Sequence, residues 1–286
     1  MAKNTFEITE EHGVVRVDKH LANLFPEYSR SALAKLFTIK LIKLKGEPIE
    51  AGYKLRPGAV VEYDLGPLQE KPEVIPLPII YEDDNVLVVD KPAGIISHAR
   101  GKFWQEASVA SFIRDRISGM TGERGGIVHR LDRATSGVMI CAKNEETLKY
   151  LQKQFHDRKV QKTYVAVIDH APKEPKAIIE APIGRNPNDP KTFHVTQDGK
   201  YAETMYEVID EKKQWITIRL HPKTGRTHQL RVHMQYVNSP IIGDHLYKGL
   251  EYERLMLHAH TLEITLPGNV SKVFTATIPE EFNKKV

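Results

Sequence analysis

The residues best suited to chemistry lie in one short segment, residues 129–137, which reads His-Arg-Leu-Asp-Arg-Ala-Thr-Ser-Gly. Its carboxylate, Asp132, stands among cationic and polar neighbours, just before a Thr-Ser-Gly turn and the apolar run 138–142. Loops held between strands are common places for functional side chains. A carboxylate there can act as a nucleophile on carbon or as a base. Taken alone, such a segment is more often a turn that its aspartate only stabilises.

A second polar block, residues 221–233, reads His-Pro-Lys-Thr-Gly-Arg-Thr-His-Gln-Leu-Arg-Val-His, and its histidines raise the question of a metal site. Zinc ligands normally occur with acids or thiols at short spacings. His228 and His233 are five positions apart, whereas side chains four positions apart lie above one another on a helix. We therefore expect no metal, and a zinc-dependent hydrolase is a minor alternative.

The composition is that of an ordinary globular protein. The 286 residues are 41% hydrophobic and 27% charged with a net charge of +4, and this length suits two domains. The single cysteine, Cys141, excludes a disulfide framework and a cysteine-rich zinc site. No apolar stretch is long enough to span a bilayer, and the first residues resemble no signal peptide. We expect a cytoplasmic protein without a membrane partner.

A proline-rich stretch divides the chain. Residues 66–78 contain four prolines, namely Pro67, Pro72, Pro76 and Pro78. Proline removes a backbone donor and restricts its neighbour, so the stretch is typical of an extended linker. We predict a small unit over residues 13–65, a linker over 66–77 and a larger unit over 78–286.

The small unit is predicted to contain two short helices followed by strands. The first helix is expected to end at Pro26, and Ser29 is expected to cap the second. Residues 41–45 and 59–63 have the pattern of strands. Residues 30–56 carry seven Lys or Arg against two Glu. That local excess is compatible with a polyanionic partner, with a merely solvated basic face as the alternative.

The larger unit is predicted to be mostly β with peripheral helices. Asn144 is expected to cap the strongest helix, residues 145–158, whose acidic first turn and basic last turn suit the helix dipole. An antiparallel or mixed sheet fits the remaining pattern, so the predicted fold class is α+β. The other predicted elements are strands at 79–81, 86–89, 163–168, 201–209, 215–220 and 262–266 and a helix at 108–117.

Several motifs together resemble the RluA/RluD-type pseudouridine synthases. Residues 129–137 are similar to the HRLDxxTSG signature of that family. Lys-Pro-Ala-Gly at 91–94, Lys-Thr-Tyr at 162–164 and the run 224–233 resemble three further motifs, in the family's order. Four ordered motifs are more specific than one short pattern, and the resemblance covers roughly residues 78–280. It implies a mostly antiparallel catalytic sheet with peripheral helices, the isomerisation of uridine to pseudouridine in RNA, and no metal or other cofactor.

The resemblance also implies roles for single residues. Asp132 becomes the catalytic carboxylate, as nucleophile or base. Arg231 becomes its partner, because a guanidinium keeps a carboxylate ionised and oriented. Tyr164 becomes the aromatic group that faces the uracil. The alternatives are an ordinary ion pair for Arg231 and a core position for Tyr164.

Substrate contacts follow from the same resemblance. Arg130 is expected to enter the base stack when the target base leaves it, with a phosphate contact as the alternative. Leu230 is expected to form an apolar wall of the uracil pocket. Further phosphate contacts are expected from Arg133, Lys162 and Arg226.

The small unit resembles the S4 RNA-binding domain that often precedes the catalytic domain in this family. The similar segments are Arg16–Lys19, Ser29–Ser31 and Leu55–Gly58, although Lys45 precedes Gly46 where S4 domains commonly have Asn-Gly. We therefore predict an enzyme whose partner is ribosomal RNA of the large subunit. The alternatives are a transfer RNA substrate and a non-catalytic RNA-binding assembly factor. Nothing in the sequence indicates the oligomeric state.

Overall fold

A computed structural model describes residues 4–70, 74–99, 106–120, 124–210 and 215–283. The chain forms two compact units. The first contains residues 4–70 together with Ala99 and Glu106, and the second contains residues 74–98 and 107–283. In the described part of the chain, we find no helix with the length and apolar character needed to cross a membrane.

The first unit combines two helices with short strands. The helices pack on each other and bury Leu21 and Leu36 in a core with Val61. Strands pair in the order β1-β6-β3-β4, and β2 pairs with β5. The elements are β1 (Asn4–Glu7), β2 (Val15–Arg16), α1 (Val17–Leu24), α2 (Arg30–Thr38), β3 (Ile42–Leu44), β4 (Glu47–Pro48), β5 (Lys54–Leu55), β6 (Val60–Tyr63) and α3 (Gly66–Gln69).

Local sequence signals explain the ends of these elements. The Ser29 hydroxyl accepts a hydrogen bond from the Ala32 amide at 3.2 Å, as the predicted cap requires. Helix α3 lies where an extended linker was expected, so that expectation is wrong for Gly66–Gln69. Pro67 is tolerated in its first turn, where the missing N–H has no intrahelical partner, and Leu68 is buried in the core of the first unit. Pro72 lies outside the described residues.

The second unit is built on a nine-stranded sheet with the order β11-β14-β15-β10-β16-β9-β8-β7, and β17 also pairs with β16. Strands β9 and β16 run parallel, and the other described pairs are antiparallel. The elements are β7 (Ile79–Glu82), β8 (Val86–Lys91), α4 (Val109–Ile113), β9 (Ser136–Ala142), α5 (Glu145–His156), β10 (Gln161–Ile168), β11 (Lys176–Glu180), β12 (Ile183–Arg185), β13 (Phe193–Val195), β14 (Glu203–Asp210), β15 (Ile216–Pro222), α6 (Gln229–Tyr236), β16 (Leu257–Leu266) and β17 (Val270–Thr275). The predicted mixed, mostly antiparallel α+β fold is confirmed.

Two helices end earlier than the sequence pattern indicates. Helix α5 is capped as predicted, because the Asn144 side chain accepts from the Thr147 amide at 2.9 Å. It ends at His156, two residues early, and Arg158 adopts a left-handed φ of 58°. Helix α4 covers five residues and continues only as a 3-10 turn at Arg114–Arg116.

Candidate active site

One cavity of about 600 Å³ in the second unit brings the predicted chemistry together. Three segments supply most of its lining: the loop before β9, the stretch from the end of α5 into β10, and the connection from β15 into α6. Leu257 of β16 completes the lining. Of the eight predicted site residues, seven line this cavity, namely Arg130, Asp132, Lys162, Tyr164, Arg226, Leu230 and Arg231. Arg133 is not among the lining residues, and its guanidinium instead donates to the Gly94 carbonyl at 3.4 Å.

Asp132 lies on a loop whose backbone is hydrogen-bonded to neighbouring side chains. The Ser97 hydroxyl donates to the Leu131 carbonyl at 2.8 Å and accepts from the Leu131 amide at 3.0 Å. On the other side of Asp132, the buried ammonium of Lys91 donates to the Arg133 carbonyl at 3.3 Å. Thr135 closes the turn by donating its amide to the Asp132 carbonyl at 3.1 Å. Because both neighbours of Asp132 are anchored, the backbone that carries its carboxylate has a defined position.

Two basic side chains approach the Asp132 carboxylate, one at each oxygen. Arg130 approaches one oxygen at 3.8 Å, and His228 Nε2 approaches the other at 3.9 Å. The Asp132 side chain remains 20% exposed, so a substrate can reach it from the cavity. Both contacts are longer than a direct hydrogen bond, which leaves the lone pairs available for chemistry.

Arg231 has a different partner from the one expected. Its Nε and Nη2 each donate to Asp244 at 2.7 Å, forming a two-point ion pair with a carboxylate that is buried. Burial opposes the charge of Arg231, but the Asp244 hydrogen bond and charge raise its pKa, with a further contribution from Asp132. The expected Asp132–Arg231 pair is therefore replaced by Asp244–Arg231, which leaves Arg231 as a fixed cation facing the same cavity. Asp244 was not identified from the sequence, because nothing in its local pattern distinguishes it from a surface aspartate.

Tyr164 and Leu230 form the less polar part of the wall. Tyr164 lies on β10 between Leu220 of β15 and Ala259 of β16. Burial raises the pKa of Tyr164, and the negative charge of Asp132 adds to the effect. The phenol therefore stays protonated at neutral pH and presents a ring and a hydroxyl rather than a phenolate. Leu230 is buried in the first turn of α6.

His228 is a site residue that the sequence interpretation missed, since it was considered there only as a metal ligand. It precedes α6 with a left-handed φ of 56°. Its Nδ1 lies 2.8 Å from the Tyr247 hydroxyl, which in turn accepts from the Phe193 amide at 2.9 Å. Burial lowers the pKa of His228, while the Asp132 charge opposes that shift. Tyr247 comes from a distant part of the sequence, so no local signal indicates the contact.

Cations surround the mouth of the cavity. Arg130 keeps 52% of its side chain exposed, and the exposed Arg158 and Lys223 also line the cavity. Lys162 and Arg226 are partly buried cations of the same lining. Burial lowers the pKa of Lys162 to about 8. Such a set suits phosphate oxygens, whose contacts supply affinity without base specificity. Within the described ranges, no group of three or more His, Cys, Asp or Glu is arranged to hold a metal ion.

Comparison with known proteins agrees with this site. The family model described as RNA pseudouridylate synthase matches residues 85–236. The chain is similar to "Ribosomal large subunit pseudouridine synthase D" of Borreliella burgdorferi, with 37% identity over 96% of this chain and 90% of the relative. It is also similar to an "Uncharacterized RNA pseudouridine synthase" of Aquifex aeolicus, with 39% identity over 81% of this chain and 76% of the relative.

A solved structure gives the same result for the fold. "Human RNA Pseudouridylate Synthase Domain Containing 1" aligns with a TM-score of 0.61 and 26% identity, covering 75% of this chain and 89% of that chain. The family match spans more than half of this sequence, and the relative from Borreliella aligns over nearly all of it. This chain therefore belongs to the family of RNA pseudouridine synthases, which are isomerases.

Proposed function

We propose that this enzyme converts specific uridines of large-subunit ribosomal RNA to pseudouridine, with Asp132 as the catalytic carboxylate. The observation that carries the proposal is the position of Asp132. It lies in a cavity with an aromatic and aliphatic wall and a cationic mouth. Relatives named for the large ribosomal subunit support the choice of RNA.

The reaction needs a group that acts on the nucleoside and a surface that holds the freed base. The C1′–N1 bond breaks, the uracil rotates, and a C1′–C5 bond forms. C5 then loses its proton and N1 gains one, so atoms are conserved and nothing is oxidised. The carboxylate of Asp132 takes part either by attacking carbon or by removing a proton. We assign Tyr164 and Leu230 to contacts with the planar uracil base. Asp244 holds the guanidinium of Arg231 in a fixed orientation, so its charge acts on the Asp132 carboxylate from a constant position.

Entry of the target into the cavity requires that the base leave its stack. Extrusion costs on the order of a few kcal/mol, which a planar cation can offset by filling the gap. Arg130 is half-exposed, next to Asp132 and at the cavity mouth, and we assign it that role. Lys162 and Arg226 are assigned to phosphates. We also propose that the basic first unit binds RNA in the manner of an S4 domain.

The deciding experiment compares wild type with Asp132→Asn on ribosomal RNA from a strain that lacks the enzyme, with pseudouridine read by chemical mapping. We expect the wild type to introduce pseudouridine at discrete positions. We expect the variant to lose at least about 10²- to 10⁴-fold in rate while still binding RNA, because the amide is neither nucleophile nor base. The matched control is Asp189→Asn, which alters a carboxylate in the loop between β12 and β13 that does not line the cavity.

The other outcomes separate the alternatives. Modification confined to transfer RNA would move the substrate from the ribosome to that RNA. Tight RNA binding with no conversion by wild type on either RNA would support the assembly-factor alternative. Equal rates for wild type and Asp132→Asn would remove Asp132 from the chemistry.

A further inference from the structure

An exposed tyrosine stands beside the mouth of the cavity without a role in the chemistry described above. Tyr201 precedes strand β14, and 43% of its surface is exposed. The guanidinium of Arg158 lies over its ring, 5.8 Å from the ring centre. Arg158 also lines the cavity, so the ring is adjacent to the opening through which a substrate enters.

The ring is held in place at both ends. Its hydroxyl donates to the Glu203 carboxylate, and that carboxylate also accepts from Lys223 at 3.1 Å. At the backbone, the Tyr201 carbonyl accepts from Arg226 Nε at 2.9 Å. These bonds hold the ring in one orientation. The ring also exposes apolar surface to water, which a stacked base would cover. A ring oriented in advance loses little entropy when a second planar group stacks on it.

The charged groups around the ring indicate the kind of partner, because three cations outnumber the two carboxylates, Glu180 and Glu203, that also act on Tyr201. Arg158, Lys223 and Arg226 all line the cavity mouth and all contact Tyr201 or Glu203. A fixed aromatic ring among cations is the combination with which proteins hold single-stranded nucleic acid, since bases stack and phosphates pair with the cations. When the target base is extruded, its neighbours in the strand also lose a stacking partner.

We propose that Tyr201 and Arg158 form a stacking subsite for an unpaired base next to the target uridine. This inference rests on the proposed function, because it names a further contact of the same RNA substrate. The base lies on the open part of the Tyr201 ring, and the adjoining phosphates face Lys223 and Arg226. Tyr201 contributes to binding of the strand and makes no contact with the reacting atoms.

The test uses the full chain and an RNA oligonucleotide that contains the mapped target uridine. Companion oligonucleotides lack the base immediately 5′ or 3′ of the target. Tyr201→Ala is expected to weaken RNA binding by about tenfold, the loss typical of one stacked base. The effect falls on Kd rather than on the single-turnover rate at saturating RNA. Tyr201→Phe keeps the ring and loses only the Glu203 bond, so it is expected to retain most of the affinity.

Combining Tyr201→Ala with an RNA that lacks the neighbouring base distinguishes stacking from a structural role of Tyr201. Removing the neighbouring base on one side weakens binding to the wild type but causes no further loss in Tyr201→Ala. Tyr236→Ala is the matched control, since Tyr236 is 58% exposed and lines a different cavity.

Two results would overturn the inference. Additive losses of affinity from Tyr201→Ala and from the missing base would contradict the stacking subsite, and so would a Tyr201→Ala Kd equal to that of wild type. In either case, conversion of the target uridine by wild type would leave the proposed function intact. A wild type that converts no uridine in the same oligonucleotide and in ribosomal RNA would contradict the proposed function, and the inference with it.

Discussion

At the residue scale, the hydrogen bonds around His228 favour one tautomer of its neutral ring. The Tyr247 hydroxyl accepts the Phe193 amide proton, so its own proton is free to bond to His228 Nδ1. In a neutral imidazole this places the remaining proton on Nε2, which faces Asp132 at 3.9 Å. His228 is thus placed to orient the carboxylate, through a donor that the buried tyrosine holds in position.

Substitutions at His228 test this positioning role. His228→Ala is expected to lower the single-turnover rate by up to about 10²-fold, because a small displacement of a reacting group is costly. His228→Gln keeps an N–H donor at about the same reach and is expected to recover part of the rate. Tyr247→Phe should show an intermediate loss, since Nδ1 loses its partner. RNA affinity, measured separately, is expected to change little.

The control for this series is His170→Ala, because His170 is an exposed histidine that does not line the cavity. A His228→Ala variant with the rate of wild type would remove His228 from the site. Equal losses for the Ala and Gln variants would indicate that the imidazole shape matters rather than its donor.

A second histidine, His129, is expected to make the stability of the folded protein depend on pH. His129 is partly buried, and its ring stacks on the Phe155 ring with 4.6 Å between the ring centres. Its Nε2 accepts a hydrogen bond from the Ile140 amide at 3.1 Å. Burial lowers its pKa to about 3, and the charge of Lys162 adds to the shift. The unfolded chain binds a proton at this group below about pH 6.5, and the folded chain does not. Stability therefore decreases as the pH falls from about 6.5 towards 3.

Urea unfolding of the larger unit at pH 7 and pH 5 measures this effect. His129 is expected to account for up to about 2 kcal/mol of the decrease between the two values. His129→Gln can still accept the Ile140 amide but cannot titrate, so its free energy of unfolding should depend less on pH. The same pH dependence in both proteins would contradict the assignment.

At the element scale, the site depends on the parallel pairing of β9 with β16. Strand β9 begins directly after the Asp132 turn, and Gly137 pairs with Ala259 of β16. A Cβ built on Gly137 would lie 2.2 Å from the Ala259 carbonyl oxygen, and the φ of Gly137 is +117°. Any other residue would push the two strands apart and would also strain the backbone.

Gly137→Ala is therefore expected to destabilise the larger unit by about 3 kcal/mol or more. The single-turnover rate should fall by more than the fraction of unfolded protein at the assay temperature accounts for, because β9 follows directly on the Asp132 turn. Thermal unfolding and single-turnover rates measure the two effects. Gly225→Ala is the stability control, since a Cβ there meets no atom within 4 Å. A Gly137→Ala protein with the melting temperature of wild type would show that the strands can separate at little cost.

At the scale of the whole molecule, the basic first unit is the proposed means of holding a large RNA. Arg16 and Arg30 already pair with Asp18, which is buried, so their charge is partly used within the fold. Four other cations of the basic segment are exposed, namely Lys40, Lys45, Lys54 and Arg56. These four side chains are the candidates for phosphate contact.

Changing all four to glutamine should weaken RNA binding and reduce its salt dependence. If each contacts one phosphate, the slope of log K against log salt should fall by about 3. The rate at saturating RNA should be unaffected, because the cavity is in the other unit. A matched variant changes four exposed lysines of the second unit, namely Lys153, Lys173, Lys191 and Lys248, to glutamine. Equal slopes for wild type and the first variant would contradict an RNA role for this unit.

The sequence by itself determined the family, the α+β class and the features that depend on neighbours within a few positions. The Ser29 and Asn144 caps are of this kind, because each side chain bonds an amide three residues away. The sequence also determined that one carboxylate, one tyrosine and a set of cations occur in ordered motifs. The C-terminal end of α5 and the helix in the linker were less predictable, since a left-handed residue and a buried leucine overrode the local pattern.

Only the tertiary structure decided which of these residues meet. Arg231 bonds Asp244 rather than Asp132, His228 meets Tyr247, and Arg158 covers Tyr201. These contacts join separate elements, so they depend on the register of the sheet and on how the loops close over it. Contacts between residues far apart in the chain produce no periodic pattern in the sequence, because they form only when the strands pair. The chemistry available was therefore readable from residue types, and the geometry that makes it a site was not.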